Sequence, residues 1–297
     1  MICTACPRNC GRERTETTGT GFCGQGKLPR IARAALHLWE EPCISGTRGS
    51  GAIFFSGCTL KCVFCQNMEI SHGGKGIQVT PERLAEIMKE LEGQGAETIN
   101  LVTASHFLGA VLEAFRLYHP HVPVVYNSSG YENISAIRAL EGVVDVYLPD
   151  FKTMNRRMAG RLFSAQDYPE VAAAAILEMV RQTGPAVYST DGIMQRGTLI
   201  RHLVLPGMTT DSMQVLNWIA EHCPCVPVSL MSQYVPCGEA EHIPGLNRRL
   251  HRNEYDRVAA HMNVLDIPGY CQEKGADERT FIPSFDGTGV ERMIRHV

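Results

Sequence analysis

The sequence predicts an α/β fold: a partial (β/α)6, TIM-like barrel with a cysteine-rich N-terminal extension. Three features carry that expectation. Short apolar runs rich in strand formers alternate with segments of helical periodicity, which implies a parallel sheet with helical crossovers. Polar residues follow several of these runs, at the strand ends where such barrels carry their chemistry. The opening segment is polar and glycine-rich, with clustered cysteines and little core of its own. Residues 1–48 therefore read as the extension, and residues 49–297 as the barrel with a C-terminal extension.

In chain order, residues 51–55 form the first strand. Thr80-Pro81-Glu82 offers a capping residue and a proline at the first helical position, opening a helix through Leu84, Ile87, Met88 and Leu91. Residues 99–103 read as the second strand, 108–118 as a helix, 122–126 as the third strand and 134–140 as a helix. A fourth strand covers 143–148 and an alanine-rich helix 171–180. The fifth strand covers 198–205, the next helix 213–221 and the sixth strand 226–231. Arg201 and His202 are adjacent on a strand, so at most one of them faces the barrel interior.

A chain of 297 residues with 44% hydrophobic content can bury a sizeable core. Its formal charge of -3 gives no electrostatic case for nucleic acid or a membrane surface. No apolar stretch approaches the ~20 residues that span a bilayer. No charged and apolar leader opens the sequence, so a cytoplasmic location is expected. There, twelve cysteines suit metal ligation and buried thiols better than disulfides.

The most specific signal is a C-x3-C-x2-C triplet, Cys58, Cys62 and Cys65, in the loop leaving the first strand. Three thiolates on a four-iron cluster leave one iron open to another ligand. A zinc knuckle or an unrelated thiol cluster is the plain alternative. With Phe64 as the aromatic residue before the last cysteine, the chain resembles the radical S-adenosylmethionine (SAM) superfamily. That resemblance implies a partial (β/α)6 barrel, a [4Fe-4S] cluster on Cys58, Cys62 and Cys65, SAM chelating the fourth iron, and Phe64 beside the adenine. It also implies reductive cleavage of SAM to a 5'-deoxyadenosyl radical that abstracts a hydrogen atom.

Residues 126–130, 149–152 and 201–207 align in order with the activating enzymes of glycyl-radical enzymes, pyruvate formate-lyase activating enzyme among them. By that likeness Asn127 and Ser128 stand for an Asp-Thr pair, Asp150 for a ligand of a monovalent cation, and Lys152 for the lysine that meets the SAM carboxylate. Oxygen ligands suit a hard cation and an ammonium suits a carboxylate. Arg201 is counted with the SAM-binding set, and the plain alternative for Asp150 and Lys152 is a solvated pair. The family's Gly-Gly-Glu stretch, which holds the SAM amino group, is replaced by Thr103-Ala104-Ser105-His106. Ser105 is the candidate contact there, and His106 is either a contact or a packed histidine. Gln233-Tyr234 replaces the Tyr-His pair of activating enzymes, and Asn127 removes a charge from the cation site. Over residues 40–46, 65–67, 127–132, 232–236 and 284–290 the chain resembles the pyruvate formate-lyase activating-enzyme-like proteins, a likeness that leaves the substrate open.

Cys3, Cys6, Cys10 and Cys23 make a C-x2-C-x3-C-x12-C set suited to zinc or a second iron-sulfur cluster, or left as free thiols. Metal there would staple the extension. Cys43, Cys223, Cys225, Cys237 and Cys271 lack spacing partners and suit buried small hydrophobes. Gly24-Gln25-Gly26-Lys27 lacks the strand and the Ser/Thr of a phosphate-binding loop. Gly287-Thr288-Gly289-Val290 reads as a turn, and Arg248 to Arg252 as a solvated helix face.

The functional expectation is hydrogen abstraction in the style of a glycyl-radical activase, with a flavodoxin- or ferredoxin-type reductant and a glycyl-radical protein as partners. A second reading aims the same radical at a small metabolite or a peptide. A third makes the chain a non-catalytic iron-sulfur or metal carrier.

Overall fold

The computed structural model describes residues 3–272 and 283–291. β1 (Arg30–His37) runs antiparallel to β2 (Ser50–Phe55), and the short helix α1 (Pro42–Ser45) lies in the connection between them. Then follow α2 (Met68–Ser71), β3 (Ile77–Gln78) paired with the start of β1, and α3 (Pro81–Gly93). Thr80 caps α3 by accepting from the Arg83 backbone N–H, and Pro81 sits at its first position, as the sequence implied.

From there strands and helices take turns: β4 (Ile99–Val102), α4 (Leu108–Leu117), β5 (Val124–Ser128), α5 (Ile134–Ala139) and β6 (Val146–Pro149). Two helices, α6 (Arg156–Phe163) and α7 (Tyr168–Thr183), precede the hairpin of β7 (Val187–Tyr188) and β8 (Met194–Thr198). Then follow β9 (Ile200–Leu203), α8 (Thr209–His222), β10 (Val228–Met231), α9 (Arg252–Val264) and β11 (Gly269–Cys271).

β2, β4, β5, β6 and β8 are parallel neighbours in chain order, and β9, β10 and β11 continue as a second parallel set. A bridge between Asp150 and Arg201 links the sets, with the Phe151 N–H donating to the Arg201 carbonyl at 2.8 Å. This singly wound parallel arc is compatible with the partial barrel that the alternation predicted. The single strand expected over 198–205 is instead split at Leu199, its first half paired with β6 and its second with β10. The split follows Gly197, whose φ of 142° favours glycine. Among the described residues no helix is long and apolar enough to cross a membrane.

Strand parity sorts the core into two faces. Val124, Tyr126 and Tyr147 pack with Leu84, Ile87, Val111 and Ile137 of the surrounding helices. Val125, Val146 and Leu148 face the other way, where Cys43 and Ile44 of α1 join Met194 and Leu199 to form an apolar plug. β1 and α1 therefore extend the sheet and fill its concave side, although both precede residue 49. Two residues beyond the plug, on the same face, the strands present Asn127, Asp150 and Arg201. The plug is thus the floor on which the polar layer rests.

Replacing Ile44 by alanine should lower the unfolding free energy by roughly 2–5 kcal/mol, through lost burial and the cavity left behind. Urea titration would show this as a lower midpoint at unchanged slope.

Candidate active site

β2 runs through Ser56 and Gly57 into the cysteine loop. Gly57 has φ 83°, and a side chain there would strike Gln25 and the Cys23 carbonyl, so the loop requires glycine at this point. Cys58 and Cys62 are buried and Cys65 is half-buried, and all three line one cavity of about 270 Å³. Donors face the sulfurs: the Leu60 N–H reaches Cys58 Sγ at 3.3 Å, and the Ser71 hydroxyl reaches Cys65 Sγ at 3.2 Å. Burial pushes the Cys62 thiol far up and that of Cys65 to about 11. Their thiolate forms therefore need a positive charge beside them, as a metal supplies.

Among the described residues no three metal-binding side chains are arranged to hold a single ion. A four-iron cluster offers separate irons to separate thiolates, so three spaced sulfurs facing a cavity, two of them receiving an N–H or O–H donor, fit such a group.

The same lining carries charged groups. Arg201 donates from Nε to Asp150 Oδ1 at 2.9 Å and from Nη2 to Asn127 Oδ1 at 2.6 Å, and its Nη1 lies 3.4 Å from Glu40 Oε2. Lys152 Nζ donates to the other Asp150 oxygen at 2.5 Å. Burial works against the Asp150 carboxylate, but Arg201 and Lys152 overcome it and hold the carboxyl below its ordinary value. Burial likewise works against the Lys152 ammonium, and Asp150 overcomes it, leaving that group raised. Glu40 and Glu41 stay above the ordinary carboxylate value because burial outweighs the pull of Arg201. Both oxygens of Asp150, the residue matched to a cation ligand, are thus engaged by cationic side chains of the protein itself.

Phe64, Asn127, Ser128, Asp150, Lys152 and Arg201 all line the cavity with the cysteine triplet. Ser105 does not: it is buried and donates to Glu132 Oε1. Of residues 103–106, Thr103 reaches the cavity, at a left-handed φ of 64°. His106 is a packed histidine, its Nε2 2.8 Å from the Ser56 carbonyl and its ring against Phe107, and burial lowers it to about 4. Arg201 faces the cavity and His202 is buried with Nδ1 2.6 Å from the Phe151 carbonyl, as strand parity requires. Sequence reasoning gave no role to Glu40, Trp39 or Gln66, which also line the cavity. Their only signal was that Glu40 and Gln66 fall in stretches that carry the family likeness. Cys3, Cys6, Cys10 and Cys23 lie outside this cavity. A larger cavity of about 440 Å³, bounded by α6, α8 and residues 243–246, holds no cysteine and so lacks the soft donors of the smaller one.

Residues 52–219, more than half of the chain, match the family model described as the radical SAM superfamily. The chain belongs to that superfamily. Membership in the radical SAM superfamily implies a [4Fe-4S] cluster and SAM. The uncharacterized protein MJ0674 of Methanocaldococcus jannaschii is 30% identical over 267 residues, 86% of this chain and 72% of that protein. A radical SAM methyltransferase from Sphaerobacter thermophilus matches with a TM-score of 0.52 at 14% identity, over 77% of this chain and 68% of that one. Methylornithine synthase (PylB) gives 0.50 at 15% identity, over 87% and 72%. Streptococcus suis SuiB, bound to its precursor peptide SuiA, gives 0.50 at 10% identity, over 74% and 47%. At such identities these structures show a shared fold.

Arg201→Met would leave Asp150 and Glu40 buried without their shared cation, and should cost about 3–5 kcal/mol of stability in chemical denaturation. Burial also raises the Glu132 carboxyl to about 7, against donors from Ser105, Ser128 and Tyr126. Such a group binds more protons folded than unfolded, so its contribution is complete below 4.5 and is lost as pH rises through about 7. Melting temperature should therefore fall across that window, more steeply in the wild type than in Glu132→Gln. Equal slopes would remove Glu132 from the account.

Proposed function

We propose that this radical SAM protein cleaves SAM reductively at a [4Fe-4S] cluster held by Cys58, Cys62 and Cys65, and abstracts a hydrogen atom from a polypeptide in the style of a glycyl-radical activase. The observation that carries this reading is the single cavity that gathers the cysteine triplet with Phe64, Asn127, Ser128, Asp150, Lys152 and Arg201. When bound, the cluster supplies the one electron that splits SAM into methionine and the 5'-deoxyadenosyl radical, and a flavodoxin- or ferredoxin-type protein is the reductant in this reading.

The protein's own groups bind and orient. Lys152, held by Asp150, offers a fixed ammonium to the SAM carboxylate, so little side-chain freedom remains to be lost on binding. Phe64 is locked by edge contacts with Phe163 and Tyr234, at 5.9 and 6.0 Å between ring centroids, and presents a steady apolar surface to the adenine. The plug beneath Asn127, Asp150 and Arg201 keeps water from entering through the floor. Trp39, 61% exposed, lines the cavity, and Leu38 beside it is 54% exposed. An exposed apolar lip of this kind suits a polypeptide segment. The precursor peptide bound to SuiB lends the same reading support by analogy. A small metabolite is the second reading, favoured by the paired charges of Glu40, Asp150 and Arg201, which suit a zwitterion.

Anaerobically reconstituted protein with dithionite should convert SAM to 5'-deoxyadenosine and methionine, detected by chromatography, in amounts that scale with protein. Cys62→Ala should abolish the products, and Lys152→Met should raise the KM for SAM roughly 10- to 100-fold, the weight of a charged hydrogen bond. No product from fully loaded protein would sink this reading and leave a cluster carrier.

A further inference from the structure

The N-terminal extension brings two cysteine-bearing stretches into one place. Cys3 lies within electrostatic reach of Cys6, Cys10 and Cys23, and its backbone N–H donates to the Arg12 carbonyl at 3.0 Å, which lays the start of the segment beside the residues after Cys10. Cys10 Sγ stands 2.9 Å from where a side chain on Gly21 would begin, so the second stretch is pressed against the first.

The donors around these sulfurs are a separate observation. The backbone N–H two residues downstream faces each of three thiols: Arg8 toward Cys6, Arg12 toward Cys10 and Gln25 toward Cys23. The same spacing recurs in the cluster loop, from Leu60 to Cys58 and from Asn67 to Cys65. Arg14 adds a cationic donor to Cys3 Sγ at 3.6 Å. Donors aimed at sulfur suit the anionic, metal-bound form rather than a thiol.

The segment also grips the cluster loop. Arg8, between Cys6 and Cys10, donates to the carbonyls of Thr59 and Phe163 at 2.7 Å each, and to that of Ser164. Its guanidinium lies 4.0 Å from the centre of the Phe22 ring, and Lys61 Nζ lies 5.3 Å from the same ring. Thr59 and Lys61 belong to the loop, whereas Arg8 and Phe22 are chain neighbours of the N-terminal cysteines.

We propose that Cys3, Cys6, Cys10 and Cys23 hold a second, thiolate-ligated metal centre that clamps the extension onto the loop of Cys58, Cys62 and Cys65. Binding releases the thiol protons to solvent and supplies the stability that a segment with so little core lacks. Among the described residues the four thiols do not converge on a single-ion site, which speaks against zinc and leaves a cluster that offers separate irons to separate thiolates.

The test uses the Cys58→Ala/Cys62→Ala/Cys65→Ala variant, which lacks the ligands of the first cluster, and it reads metal content with no SAM present. Elemental and sulfide analysis after anaerobic loading with iron and sulfide should find about four irons per chain. Adding Cys6→Ser and Cys10→Ser should abolish that metal. Iron with matching sulfide supports the centre and identifies it as a cluster. No iron after this loading, with the four thiols open to alkylation, would overturn it. Should the triple variant fail to fold, comparing metal per chain in wild type and in Cys6→Ser/Cys10→Ser decides: equal values overturn the centre. The clamp is tested by Arg8→Ala, which should keep the N-terminal metal and lower cluster occupancy at Cys58, Cys62 and Cys65. Unchanged occupancy would overturn the clamp.

Discussion

Arg201 and Asp150 meet twice. Their backbones form the bridge that joins the two sets of parallel strands, and their side chains form an ion pair inside the cavity that those strands surround. Burying two charges costs several kcal/mol each, a cost offset only when further hydrogen bonds satisfy both partners. Lys152, Asn127 and Glu40 are the groups that do so here. The geometry of the sheet and the charge balance of the cavity are thus one constraint: displacing β9 from β6 would leave Asp150 and Glu40 without the cation they share.

Layering along the strands explains how so short a set of residues builds both floor and wall. A strand repeats its direction every two residues, so Val125 and Asn127, Leu148 and Asp150, and Leu199 and Arg201 stack as apolar and polar tiers of one face. α1 completes the lower tier from outside the repeating units. The cysteine loop leaves β2 at the upper tier, which gathers soft sulfur ligands and hard charged groups in the lining of a single cavity.

Much of this was legible in the chain before any coordinates, and the reasons are physical. The cysteine triplet is written in covalent spacing, which tertiary contacts cannot rearrange. The parallel strands are buried on both faces, so they stand out as continuous apolar runs. β1 escaped notice because Arg-Ile-Ala-Arg-Ala-Ala-Leu-His is short of β-branched residues, and α6 because its eight residues carry three arginines and an interior glycine. Glu40 lies 161 positions from its partner Arg201, a relation no local pattern records. Ser105 was placed by a loop likeness, but the 3-10 turn at Ser105–Phe107 carries its hydroxyl to Glu132.

The plug of α1 also bears on the order of assembly. Cys43 and Ile44 emerge early in synthesis, while Met194 and Leu199, against which they pack, follow some 150 residues later. Contacts so distant in sequence form slowly, because the intervening chain must be closed into a loop first. A growing chain exposes Cys58, Cys62 and Cys65 well before Arg201 exists. The cavity that gathers the cysteines with Arg201 is therefore among the last features of the fold to be completed.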